Sequence, residues 1–225
     1  MKKIRMITVD AQDGLGKTTL INNLKKLFAN RPIHSTRLLG GSGEDDFQLA
    51  LRKVLLHPKF PINSVELEEQ LFALTDVEGI REAGRFLAST PGGIVLKDRA
   101  LASHVCYALA KFMTVHQIER CHEQVIYEEK KLSKEYGSLN IILAATETDF
   151  VIDRIRKRAA LTGEPIVERL ENEQVQWSVM NAMRSFPDHV LAQGLEYRLL
   201  EVAPQDSIQD VFAKAKAILD NYEIG

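Results

Sequence analysis

Short apolar runs alternate with longer amphipathic stretches along this chain. The apolar runs fall at residues 3–9, 32–36, 93–97, 139–145 and 197–202, each bounded by turn residues, a pattern that predicts strands. Between them, helical periodicity predicts helices over 17–29, 44–56, 64–88, 100–114, 115–135, 148–160, 168–185 and 206–221. Strands alternating with helices predict an α/β fold, a five-stranded parallel sheet with helices on both faces. No Pro/Gly/Ser-rich linker or internal repeat interrupts the pattern, and Thr90-Pro91-Gly92-Gly93 reads as a loop, so 1–225 is read as a single domain. Ligands of such sheets sit beyond the carboxyl ends of the strands, which directs attention to the residues after 9, 36, 97 and 145.

The first of these places carries the strongest signal. Ala11-Gln12-Asp13-Gly14-Leu15-Gly16-Lys17-Thr18-Thr19 follows the first apolar run and opens a helix. Small residues there let successive backbone N–H groups turn toward the β- and γ-phosphates of a nucleotide, Lys17 reaches the same oxygens, and the Thr18 hydroxyl can ligate Mg²⁺. Ala11 replaces the first glycine of the phosphate-loop pattern, a mild change where φ is negative. The plainer alternative is a glycine-rich turn that merely starts a helix.

After the run at 93–97 come Asp98 and Arg99, with Ser103 and Tyr107 four and eight residues beyond Arg99. An Asp at a strand end beside a phosphate loop can hold Mg²⁺ through water or accept a hydroxyl proton, and an Arg can grip a phosphate with two parallel hydrogen bonds. Taken alone, the pair reads as a helix cap with a surface ion pair.

Composition narrows the remaining classes. The chain has 225 residues, 45% hydrophobic and 27% charged, enough for one α/β core. A net charge of −2 gives no footprint for extended nucleic acid. Cys106 and Cys121 supply neither a disulfide framework nor a cysteine zinc site, which fits a reducing cytoplasm. No apolar run is long enough for a membrane span or a signal peptide. The six histidines show no metal-ligand spacing, Trp177 and Tyr127 read as helix-packing residues, and Glu128-Glu129-Lys130-Lys131 reads as an exposed helix face.

Five blocks in order resemble the thymidylate kinase family of P-loop nucleoside monophosphate kinases. Asp10-Ala11-Gln12-Asp13-Gly14-Leu15-Gly16-Lys17-Thr18-Thr19 is similar to its EG-x-DG-x-GKTT, and Thr36-Arg37-Leu38-Leu39-Gly40-Gly41 to its TREPGG. Leu71-Phe72-Ala73-Leu74-Thr75-Asp76 resembles its LFAADR, the stretch Asp98 to Tyr107 its DRYxxSxxAY, and Glu168-Arg169-Leu170-Glu171 its lid pattern DRIE. The resemblance implies a three-layer P-loop NTPase fold with a short lid at about 158–170, ATP and Mg²⁺ as cofactors, a small nucleotide acceptor, and a homodimer formed through the helices near 44–56, 64–88 and 100–114. It implies that Asp13, Gly14, Leu15, Gly16, Lys17, Thr18 and Thr19 bind ATP and that Thr18 and Asp98 hold the metal. Asp13 would approach the sugar 3′-hydroxyl, Arg37 and Arg99 the acceptor phosphate, Phe72 the base, with Ser103 and His104 near the base edge, and Tyr107 the sugar. Arg169 would close from the lid onto the transferring phosphoryl group, with Arg154, Arg156, Lys157 and Arg158 as further cationic candidates.

Two departures bear on specificity. Asp76 stands where the family places an arginine that donates to the thymine carbonyl, and Ala100 replaces the tyrosine of DRY. A carboxylate facing a carbonyl oxygen costs about 2–5 kcal/mol and suits an exocyclic amino group instead. The alternative is a one-turn offset that leaves Asp76 exposed. Phe72 likewise reads either as a base platform or as core. Three functions follow: transfer of the ATP γ-phosphoryl group to a nucleoside 5′-monophosphate, catalysed by Lys17, Asp98, Arg99 and Arg169; phosphorylation of a deoxynucleoside or similar hydroxyl with Asp98 as base; or nucleotide binding without catalysis.

Overall fold

The computed structural model describes residues 2–37, 50, 53–55, 57, 64–163 and 166–225, with the backbone alone for Glu168 and Arg169. Its elements run β1 (Lys3–Ile4), β2 (Met6–Ala11), α1 (Lys17–Leu27), β3 (Ile33–Arg37), α2 (Val65–Ser89), β4 (Ile94–Asp98), α3 (Leu101–Ala110) and α4 (Val115–Tyr136). There follow β5 (Ser138–Ala145), α5 (Asp149–Thr162), α6 (Glu168–Glu171), α7 (Glu173–Ser185), β6 (Tyr197–Val202), α8 (Ile208–Leu219) and β7 (Glu223–Ile224). Most of the predicted helix 44–56, and Leu38-Leu39-Gly40-Gly41, lie outside the described residues.

The main sheet has five parallel strands in the order β3-β4-β2-β5-β6, and β1 pairs with β7 in a small parallel sheet. Strand β2 is central, with Val9 opposite Asp98 of β4 and Ala11 opposite Leu143 of β5, so the ends of β2 and β4 open side by side. Alternation along the strands divides the core in two. Ile7 and Val9 face α1, α5 and α8, through Leu20, Leu24, Ile155 and Ala215. Met6, Val95 and Ile142 face α2, α3, α4 and α7, through Ile80, Val105, Val125 and Met183. On this second face Thr8, Asp10, Lys97 and Asn140 are also buried, and Thr8 Oγ1 donates to Asn140 Oδ1 at 2.6 Å.

Element ends differ from the sequence expectation where side chains cap or bend the backbone. The predicted helix 168–185 breaks at Asn172, which is extended (φ −77°, ψ 162°) and caps α7 by accepting from Val175 N at 2.9 Å. Helix α3 stops at Ala110 because Phe112 turns left-handed (φ 64°) and Thr114 with Gln117 forms a capping box that starts α4. The predicted strand 3–9 is interrupted at Arg5, whose guanidinium donates to the carbonyls of Gly93 (3.0 Å) and Thr90 (2.5 Å). Trp177 and Tyr127, expected to pack helices, are 57% and 60% exposed. Among the described residues no helix is long and apolar enough to cross a membrane.

Candidate active site

The loop after β2 turns twice into the left-handed region, at Gly14 (φ 80°) and Gly16 (φ 79°), before α1 begins at Lys17. Gly16 caps that helix without a side-chain partner, and no heavy atom stands within 4 Å of the place its Cβ would occupy. Uncapped N–H groups facing open space are what a polyphosphate needs, so the loop fits ATP. Leu15 is buried and anchors the loop in the core. Thr18 is exposed at the start of α1, and Thr19 behind it does not line the cleft.

Lys17 Nζ pairs with Asp98 at the end of β4. Burial lowers the Lys17 pKa, Arg99 nearby lowers it further, and Asp98 and Asp13 oppose that shift. The next residue, Arg99, is itself left-handed (φ 71°), a backbone state costing roughly 1–3 kcal/mol in a non-glycine residue. Its N–H donates to Val9 O (3.0 Å) and its guanidinium to Ala11 O (3.0 Å), which holds the bend and turns the side chain back over the phosphate loop. There it pairs with Asp13 and lies 5.3 Å from the Tyr107 ring centre. Tyr107 donates its hydroxyl to Asp13 Oδ2 at 2.9 Å. Burial raises the Asp13 pKa, but Arg99, Tyr107 and Lys17 outweigh it and hold the carboxyl below its usual value.

These groups line one cleft of about 1170 Å³. Gly14, Lys17, Thr18 and Asp98 form the end at the loop, with Arg37 exposed at the rim. Phe72, Ser103, His104 and Tyr107 line the opposite wall. Phe72, read as platform or core, is buried at 8% exposed and lines the cleft, with Lys111 Nζ 5.4 Å from its ring centre. Arg154, Lys157 and Arg158 reach the cleft, while Arg156 is exposed elsewhere on α5. Arg158 Nη2 donates to Glu171 Oε1 at 2.5 Å. The Arg169 side chain lies outside the described set.

Asp76 does not line the cleft. Its Oδ2 is held by Lys97 Nζ (2.8 Å) and His104 Nε2 (3.0 Å), so His104 stands between it and the cavity. Neither earlier alternative, base contact or exposure, describes it. Burial would raise the Asp76 pKa, yet Lys97 and His104 bring it down to about 2. Lys97 also pairs with Glu129 Oε1 at 2.6 Å, which makes Glu129 a buried residue within the run expected to face solvent.

Sequence reasoning missed the residues that hold this site in place. Asp10 Oδ1 accepts from Ala100 N (2.8 Å), Ser103 N (2.9 Å) and Ser103 Oγ (2.6 Å), so the carboxylate caps α3 from the neighbouring strand. Gln12 joins Ala145 N (3.1 Å) to Gln176 O (2.8 Å), and Gln176 Nε2 donates to Leu170 O (2.7 Å) and Tyr107 Oη (3.4 Å). A carboxylate ending an apolar strand was a visible signal for Asp10; the two glutamines gave none. Glu69 Oε1 accepts from Lys111 (2.7 Å) and Glu69 Oε2 lies 3.0 Å from His122 Nε2, at the same end of the cleft as His104.

Comparison with known proteins agrees with this architecture. No family model matches the chain. The thymidylate kinase of Oenococcus oeni (strain ATCC BAA-331 / PSU-1) is 35% identical over 111 residues, 48% of this chain and 50% of that protein, so the chain spans about half the length of this curated relative. The solved thymidylate kinase of Candida albicans, reported as revealing the origin of broad substrate specificity and a novel structural element, superposes with a TM-score of 0.66 at 16% identity. It covers 97% of this chain and 92% of its own. The chain therefore resembles a thymidylate kinase in sequence over slightly less than half its length, and it has the α/β P-loop fold of a thymidylate kinase along nearly all of it.

Proposed function

We propose that this protein transfers the γ-phosphoryl group of ATP to the 5′-phosphate of a nucleoside or deoxynucleoside, with a base preference other than thymine. The observation that carries this reading is the joining of Lys17–Asp98 and Arg99–Asp13–Tyr107 in one cleft beside an uncapped phosphate loop. When bound, Mg²⁺-ATP supplies the phosphoryl group and a cation that neutralises developing charge. Thr18 and Asp98 are the residues to hold the cation. The loop N–H groups and Lys17 bind the donor phosphates, Arg37 and Arg99 orient the acceptor phosphate, and Arg154, Arg158 and the lid arginine Arg169 add positive charge where equatorial oxygens accumulate it. Tyr107 covers the sugar, and closure over the acceptor excludes water that would otherwise take the phosphoryl group.

The base preference is supported by what occupies the wall near Phe72. Asp76 is committed to Lys97, and Glu69 and His104 line the cleft there. With Asp76 in the place of the arginine that would donate to a thymine carbonyl, and turned away to Lys97, position 76 offers a base no donor. In the same reading the chain is a cytoplasmic homodimer, which size-exclusion chromatography with light scattering checks. One observation favours a second reading: Arg99 is engaged by Asp13, and an acceptor without a phosphate leaves that pair intact.

Incubating the protein with Mg²⁺-ATP and all common nucleosides and monophosphates, followed by ADP release and product mass, tests these readings. Phosphorylation of an amino-bearing monophosphate is expected. Turnover of nucleosides alone selects the hydroxyl-kinase reading, and thymidylate turnover equal to the best substrate removes the base preference. ATP binding without any product selects the non-catalytic reading.

A further inference from the structure

We infer that Glu69, His104 and His122 form a divalent-cation site, suited to zinc, at the base end of the cleft and separate from Thr18 and Asp98. One ligand atom from each lies within 4.8 Å of the others, and all three residues are buried. They come from α2, α3 and α4, so only packing brings them together.

Two imidazoles and a carboxylate are the donor set of open zinc sites, where a fourth position stays available. Bonds of about 2.0–2.2 Å place the ligands of a shared tetrahedral ion roughly 3.4 Å apart. Glu69 and His122 already stand 3.0 Å apart, and the two imidazole centres are 4.6 Å apart. The three ligand atoms lie within 4.8 Å of one another, so side-chain rotation on the ion's arrival must close the set.

The His122 ring is fully buried with Nε2 facing Glu69 Oε2, so Nε2 is the donor this residue offers an ion. Two of the three ligands have orienting partners: Asp76 Oδ2 lies 3.0 Å from His104 Nε2, which leaves Nδ1 as that residue's donor, and Lys111 donates to the remaining Glu69 oxygen. Glu69 and His104 line the cleft, which gives an ion its way in and turns the fourth position toward whatever occupies the cavity. Imidazole ligands favour zinc or cobalt over magnesium, so millimolar Mg²⁺ does not compete.

The test needs no substrate. The metal-free full chain is titrated with Zn²⁺ by calorimetry in excess Mg²⁺, and with Co²⁺ while its visible d–d absorption is recorded. One equivalent is expected to bind, with a four- or five-coordinate cobalt spectrum free of a thiolate charge-transfer band. His104→Ala, His122→Ala and Glu69→Gln should each weaken binding by about 10–100-fold or more, and His189→Ala should not. Absence of stoichiometric binding, equal binding in the three variants, or a thiolate band would overturn the site. Should His122→Ala fail to fold, His104→Gln and the cobalt spectrum of the unaltered chain decide.

Discussion

The ammonium of Lys97 lies 2.8 Å from the carboxylate of Asp76 inside the protein, and both side chains are 1% exposed. Lys97 also holds Glu129 at 2.6 Å, so one strand residue ties α2 and α4 to the sheet beneath the cleft. Removing one member of a buried pair leaves an uncompensated charge, which costs about 3–5 kcal/mol. Lys97→Met should lower unfolding free energy by that amount in urea titrations. The triple variant Asp76→Asn, Lys97→Met, Glu129→Gln should recover part of the loss. A Lys97→Met protein within 1 kcal/mol of the original, on the scale of about 0–1 kcal/mol seen for exposed pairs, would mean that the network contributes little.

Acid should destabilise the protein through Asp76 and Glu69. Burial acts to raise both, but Lys97 and His104 bring Asp76, and His122 and Lys111 bring Glu69, down to about 2. The folded state thus binds these protons less readily than the unfolded chain, whose carboxyls titrate near 4. Their stabilisation is complete above that range and is lost as pH falls from about 4.5 toward 2. Glu129 has the opposite sign: burial raises its pKa, and its contribution decreases as pH rises through that raised value. Thermal melts between pH 7 and 3 should show the acid limb, and Glu69→Gln should flatten it.

Gly14 and Gly16 share a left-handed backbone but differ in surroundings. A Cβ at Gly14 would meet Arg154 Cβ and Val151 O at 3.3 Å, whereas at Gly16 it would enter open space. Backbone strain of roughly 1–2 kcal/mol applies to both alanine variants. Gly14→Ala should lose more stability, because α5 must also shift. Gly16→Ala should keep more of its stability and bind ATP poorly, since its methyl group projects into the phosphate cradle. Melting temperatures together with ATP titrations separate the two.

Lys17→Ala removes the cation at the loop end of the cleft while Asp98 remains partly exposed. Losing one preorganised charge of this kind costs about 10²–10³ in kcat. The fold should survive, as circular dichroism and an unchanged melting temperature would show. Turnover close to that of the original chain would place phosphoryl transfer elsewhere.

Gln176 joins the Leu170 carbonyl to the Tyr107 hydroxyl, and Gln12 ties the Gln176 backbone to the phosphate loop. Gln176→Leu leaves a buried carbonyl without its donor, a cost of about 1–3 kcal/mol. Because the proposed function puts Tyr107 over the acceptor's sugar, acceptor KM should rise by more than kcat falls. Equal loss in both donor and acceptor affinity would instead indicate general loosening.

The strands, their parallel sense and the loop at 11–19 were legible because they are local facts. Apolar runs of strand length, alternation with helices, and glycines at 14 and 16 each constrain the backbone over a few residues. Asp98 and Arg99 were found the same way, as polar residues just past a strand. Tertiary packing decided what no local pattern encodes. Lys97 looks like an edge residue within Val95-Leu96-Lys97 until Asp76 and Glu129 are packed over it, and Glu129 looks solvated in a charged run until that ammonium takes it inside. The histidines show no ligand spacing along the chain, yet α2, α3 and α4 bring Glu69, His104 and His122 within reach of one another. Burial makes the difference: a charged side chain can leave water only beside its partner, and the partner's place is set by the fold rather than by the neighbouring sequence.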